Sequence, residues 1–334
     1  MSFNICRELA KKIKAPSPVA TPTYESFHIT GNKQYAQPVD KRPILQLNAF
    51  PMTLSPEVYK NPHSSINPNG SYNSLYAFSE LTNTVPFFTE YYNASLNTIS
   101  ALYGNLLDGV TIDEKNQYTQ SVIAQAQRNF ESAHFANMDG IPGYWYPVYA
   151  TPEDWFDTSN VQRFSEITLD LTNTNSADGP YQTLSNDNED MLTYLANNKA
   201  VNNTVIDRNT KLKSIKFKYL EVRLNRPWFN FSIFSLNGWY ISGQNSGFFS
   251  SGNTINNQGI LPLITTSLLV AININVDADW SPRDQQNLQK ARLRGETTSI
   301  GPFITAADSS NSTELHVIGW ISQLVPLAPQ NTYS

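Results

Sequence analysis

From Ile260 to Val276 the chain runs for seventeen residues without a charged side chain. From Leu268 onward, Leu268, Val270, Ile272, Ile274 and Val276 alternate with Leu269, Ala271, Asn273, Asn275 and Asp277. A period of two marks a strand with one buried and one wetter face, because successive side chains leave a pleated backbone on opposite sides. The length approaches that of a membrane-spanning helix. Pro262, Thr265, Thr266, Asn273, Asn275 and the β-branched residues argue for a soluble strand instead.

A second long stretch, 211–228, shows the same habit with a change of phase. Ile215, Phe217 and Tyr219 share one parity, whereas Leu220, Val222 and Leu224 share the other. Such a change marks a β-bulge or a strand passing from one buried environment to another. Both stretches exceed the usual five or six residues of a strand. Further strands are expected at 164–171, 231–241 and 315–325.

The clearest helical pattern lies in 81–137. Pro86 suits a first helical position, and Phe88, Tyr92, Leu96, Ile99, Tyr103 and Leu106 follow at spacings of three and four. Asp108-Gly109 stops that helix. Thr111 followed by Glu114 reads as a capping box, opening a second helix with the stripe Tyr118, Val122, Ile123, Ala126 and Phe130. The fold class expected is therefore α+β and mainly β. A large antiparallel sheet or sandwich fills the C-terminal half, and an N-terminal antiparallel helical hairpin packs on it.

Three segments follow from this pattern, forming one compact unit. Residues 1–80 read as an extended Pro/Asn-rich arm with one short strand at Ile44, Leu45, Leu47 and Phe50. Residues 81–137 are the helical hairpin, and 138–334 are a β-rich body with an aromatic loop and an extended tail. A short helix is expected around 187–197, and a salt-bridged loop around Asp277, Asp279, Arg283, Asp284, Arg292 and Arg294.

Composition narrows the function classes. Charged residues make up only 15% of the chain, and the net charge of −5 comes with no basic stripe, which argues against nucleic acid. Aromatics at 12% favour folding over disorder. Asn alone supplies roughly a tenth of the residues. The single Cys6 excludes an intramolecular disulfide and is expected to be a thiol without structural duty. The first sixteen residues hold no apolar run of secretory type, and Lys11, Lys12 and Lys14 fit a short solvated helix. The expected location is cytoplasmic, or outside the cell by release without a secretory signal peptide.

No motif names a chemistry. His28, His63, His134 and His316 lack metal-type spacing, and the common nucleotide, zinc and hydrolase signatures are missing. Asp187, Glu189 and Asp190 have the oxygen ligands calcium takes, without the glycine turn of a calcium loop. No metal and no cofactor is expected. Tyr144, Trp145, Tyr146, Tyr149 and Trp155 form a candidate aromatic binding surface of the kind that stacks sugars, or else a core cover. Arg226 beside Trp228 is a candidate recognition element or a strand-end anchor.

Three functional readings result. The first is a non-enzymatic, self-associating structural or interaction protein, an assembly subunit whose irregular ends lie on neighbours and whose low charge removes repulsion. Its partners are copies of itself or another protein. The second is a toxin-like pore former that refolds Leu268–Val276 as an amphipathic membrane hairpin, with the polar segment 242–259 as its tip. The third is a carbohydrate-binding protein or glycosidase, whose two carboxylates leave no local signature.

Overall fold

The computed structural model describes residues 4–14, 42–88, 97–136, 140–141, 143–172, 179–184, 187–305 and 314–330. In chain order the elements begin with α1 (Ile5–Lys12), β1 (Ile44–Leu54), α2 (Tyr72–Thr82) and α3 (Ile99–Gly109). Next come β2 (Val110–Ile112), α4 (Gln117–Ala133), β3 (Phe135–Ala136), β4 (Tyr144–Trp145) and β5 (Tyr149–Thr151). The middle of the chain supplies β6 (Ser165–Asp170), β7 (Gln182–Leu184), β8 (Met191–Ala196), β9 (Lys199–Val205) and β10 (Lys211–Asn225). The last third contains β11 (Trp239–Ile241), β12 (Leu263–Asp279), α5 (Pro282–Leu293), β13 (Thr297–Ile300), β14 (Phe303–Ile304) and β15 (Leu315–Leu324).

The fold is α+β and mainly β, built on a seven-stranded sheet of order β5-β10-β12-β15-β1-β7, with β6 also pairing β10. The sheet is mixed, because β7 runs parallel to β1 while the other pairs are antiparallel. Strand β12 sits at its centre and feeds two cores. Leu268, Val270 and Ile272 point into one, beneath α3, α4 and the aromatic segment. Leu269 and Ala271 point into the other, against α1, α5 and a four-stranded sheet of order β14-β13-β8-β9. The expected wetter face of Leu268–Ile272 is therefore dry. Both faces of the sheet carry a layer, so polarity does not alternate there. Beyond Ile274 the strand leaves this cover, and Asn275, Asp277 and Asp279 are exposed.

The apolar phase change in β10 has a resolved cause. Its register against β12 is continuous from Lys218↔Ile272 to Arg223↔Ser267, so Tyr219 and Leu220 simply serve opposite cores. The bulge lies in the partner strand, where Asn273 takes φ 55° and Phe217 faces two residues instead of one. After that extra residue, Ile274 joins the core that Leu269 and Ala271 serve. A left-handed Asn at a bulge re-aims every side chain downstream.

Several expectations are corrected. Helix α1 is not solvated: Ile5, Cys6, Leu9 and Ala10 are fully buried, and the Cys6 thiol donates to Leu45 O. Within the expected arm of residues 1–80 the one short strand is β1, but a 3-10 turn at Pro56–Tyr59 and most of α2 also lie there. Pro51 is tolerated inside β1 because it falls where the register with β15 shifts, between Leu47 and Met52. The helical hairpin expected over 81–137 is not shown as read: α3 starts at Ile99 and not near Pro86, and the N-terminal helix α1 is only eight residues long. Pro86 and Phe88 lie outside any helix, Thr111 belongs to β2, and the cap of α4 is Asn116, whose side chain accepts from Thr119 N. Tyr92 and Leu96 fall outside the described residues. Helices α3 and α4 do meet, Gln127 Nε2 reaching Leu107 O at 2.8 Å.

At 187–197 a 3-10 turn and β8 replace the expected helix. Asn197 and Asn198, both at positive φ (51° and 59°), form the two-residue turn of a β8–β9 hairpin. The segment 231–241 divides into a 3-10 turn and β11. The loop expected after Asp279 contains α5, opened by the Ser281 cap and Pro282. Among the described residues no helix is long and apolar enough to cross a membrane.

Candidate functional site

The structure divides the five aromatic candidates by depth. Trp145 and Trp155 are buried, Tyr146 and Tyr149 are half-buried, and Tyr144 is 61% exposed. Trp155 packs on Tyr59 and Phe78 with centroids 5.1 and 5.3 Å away. Trp145 lies 5.0 Å from Phe135, its partner across the β3–β4 pair. Tyr146 stacks on Phe130 at 4.0 Å and leans on Trp228 at 5.4 Å. Tyr144 is covered on one side by His134, stacked at 4.2 Å. Burial and the neighbouring Tyr144 push the Tyr146 hydroxyl far above its ordinary range. The segment thus closes the open side of α3 and α4, with Tyr144 as its exposed tip. The cavity beside Tyr149 and Trp155 measures about 10 Å³, room for no more than one water.

Arg226 and Trp228 are buried at 8% and 1% exposure. The Arg226 guanidinium donates to Thr82 O (2.8 Å), Thr265 O (2.6 Å) and Thr265 Oγ1 (2.9 Å). It therefore clamps the end of α2 to the start of β12. Trp228 Nε1 donates to Pro147 O at 2.8 Å, fastening the aromatic segment to the end of β10. Both side chains tie the end of β10 to neighbouring segments.

Buried titratable groups also hold the frame. Glu189 accepts from Ile5 N (2.6 Å) and Cys6 N (3.3 Å), a long-range cap on the first turn of α1. Burial pushes its carboxyl up to about 7 against the pull of those two amides. Asp284 accepts from Asp207 N at 2.8 Å and Thr210 Oγ1 at 2.7 Å, joining α5 to the β9–β10 connection. No group of three or more His, Cys, Asp or Glu is placed to hold a metal among the described residues.

A wider opening lies elsewhere, between β9 and the last turns of α5, with a volume of about 240 Å³. Tyr194 and Ala291 form its floor, both buried. Asn202 and Thr204 line it from β9, and Asn287, Lys290 and Arg294 line it from α5 and its cap. Glu296 completes the lining, with Oε2 4.0 Å from Arg294 Nη1. None of these residues was a sequence candidate. The signals were present in Ser281-Pro282 at a helix start and in the Asn197-Asn198 turn, which together create both walls.

Charge is unequal across the central sheet. The α5–β9 layer exposes Lys199, Lys290, Arg292 and Arg294. The helical layer opposite exposes Asp108, Asp113, Glu114 and Glu131, with Lys115 and Arg128 as its cations. Comparison with known protein families, with curated proteins and with solved structures finds no match to this chain.

Proposed function

We propose that this chain is a non-enzymatic subunit that associates with copies of itself, head to tail. The observation that carries this reading is the opposite charge of the two outer layers. A basic α5–β9 layer on one copy complements an acidic α3–α4 layer on the next, and complementary potentials steer and orient association. A two-fold contact would set like charges against each other, so the contact is heterologous. The described ends do not support the reading. Helix α1 packs on the chain's own body, and so does the tail, where Ala328 N donates to Ser250 O and Phe249 N to Ala328 O. The pore-forming alternative is less favoured by this geometry, because β12 would have to leave ladders on both of its edges.

Sedimentation velocity across protein concentration and salt tests the proposal. At about 0.01 M salt, where screening extends over about 30 Å, average mass should rise with concentration. At about 1 M, with a screening length of about 3 Å, it should return to that of one chain. A single-chain mass under both conditions overturns the reading.

A further inference from the structure

We propose that the cleft between β9 and α5 is a binding site for a carboxylated monosaccharide, a hexuronic or sialic acid. Its volume of about 240 Å³ far exceeds the about 10–15 Å³ that holds one water and leaves room for one substituted pyranose ring. The lining is too polar for a hydrocarbon ligand. Asn202 and Asn287 each present an amide that donates and accepts, as sugar hydroxyls require of their partners. Thr204 Oγ1, 3.0 Å from the Tyr194 hydroxyl, adds a further acceptor or donor at the floor.

The charges select the anionic group. Arg294 offers a planar fork that pairs with a carboxylate through two N–H groups, and Lys290 adds a second cation one turn earlier. Glu296 leaves a net of one positive charge in the lining, which matches one carboxylate better than a doubly charged phosphate. The macrodipole opposes any anion here, so Arg294 and Lys290 must supply the attraction. The cleft meets the C-terminal end of α5, where carbonyl oxygens carry partial negative charge, the reverse of a phosphate-binding helix start. Glu296, also in the lining, can accept from sugar hydroxyls.

The assignment does not depend on self-association, although both use Lys290 and Arg294. The experiment is an NMR titration of the full chain with glucuronic acid and N-acetylneuraminic acid, with galactose and acetate as controls. One of the two acids is expected to bind with a Kd on the order of 1 mM, and galactose and acetate at least tenfold more weakly. Arg294→Ala and Asn202→Ala are each expected to weaken the acid sugar about tenfold. Both positions are solvent-exposed, so the variants should melt like the parent. Asn202→Ala changes no charge, so it should leave salt-dependent association intact and separate the two proposals. Binding of neither acid overturns the assignment. So does galactose or acetate binding as tightly as the acid sugar, or affinity unchanged in both variants.

Discussion

His316 lies in β15 at 3% exposure, with Nδ1 3.2 Å from Thr53 Oγ1 and Nε2 3.7 Å from the exposed Glu314 carboxylate. Burial lowers its pKa to about 4 from 6.5, so the unfolded chain binds the proton first. Stability from this group is full above about 6.5 and is lost as pH falls towards 4. Glu189 has the opposite sign. Raised to about 7 from 4.5, it favours the protonated fold, and its contribution is lost as pH rises from 4.5 through 7. Each shift corresponds to roughly 3 kcal/mol. Between pH 4.5 and 6.5 the two slopes oppose and nearly cancel. His316→Gln should therefore expose a stability that falls with pH in that window, and Glu189→Gln one that rises. Urea midpoints at several pH values check this, and parallel slopes in the two variants would contradict it. Neither role was legible beforehand, because a carboxylate capping a helix 184 residues away leaves no local pattern.

Helix α1 is eight residues long, too short to persist in water by itself. It exists because Ile5, Cys6, Leu9 and Ala10 are buried against β1, β6 and β7 and because Glu189 satisfies its first amides. Leu9→Ala should cost about 2–5 kcal/mol of that docking. In hydrogen exchange, amides of α1 should then open faster relative to those of β12 than in the parent protein. Unchanged relative protection would refute the docking role. The edge strand β9 follows a different logic. Its register with β8 is irregular at Val201, Arg283 Nη2 donates to Val205 O at 2.6 Å, and Asn203 N donates to Asn202 Oδ1 at 2.8 Å. A kinked edge with filled backbone groups discourages extension of the sheet by another chain. Contact at this end must then rely on side chains. The long strands β10 and β12 were legible as period-two runs, whereas α5 escaped notice because its apolar face is nearly absent, only Ala291 and Leu288 meeting the core.

Two dissimilar layers cover the central sheet, and their separation makes the molecule electrically polar. Reversing charge at one layer tests this directly: Lys290→Glu with Arg294→Glu should abolish growth of mass with concentration at low salt. The same measurement on Asn202→Ala should match the parent, and persistence of growth in the charge-reversed variant would refute the proposed orientation. What the sequence determined by itself was the class of fold and its longest strands, because apolar periodicity is a local property that any buried strand must carry. It also confined the aromatics of Tyr144–Trp155 to a non-helical segment through Pro142, Pro147 and Pro152. Only the tertiary structure decided that both faces of β12 are covered, that Arg226, Trp145 and Trp155 are interior, and that β9 and α5 share a cleft. Those outcomes depend on contacts between segments far apart in the chain, and no local pattern of side chains records which distant surface comes to lie upon them.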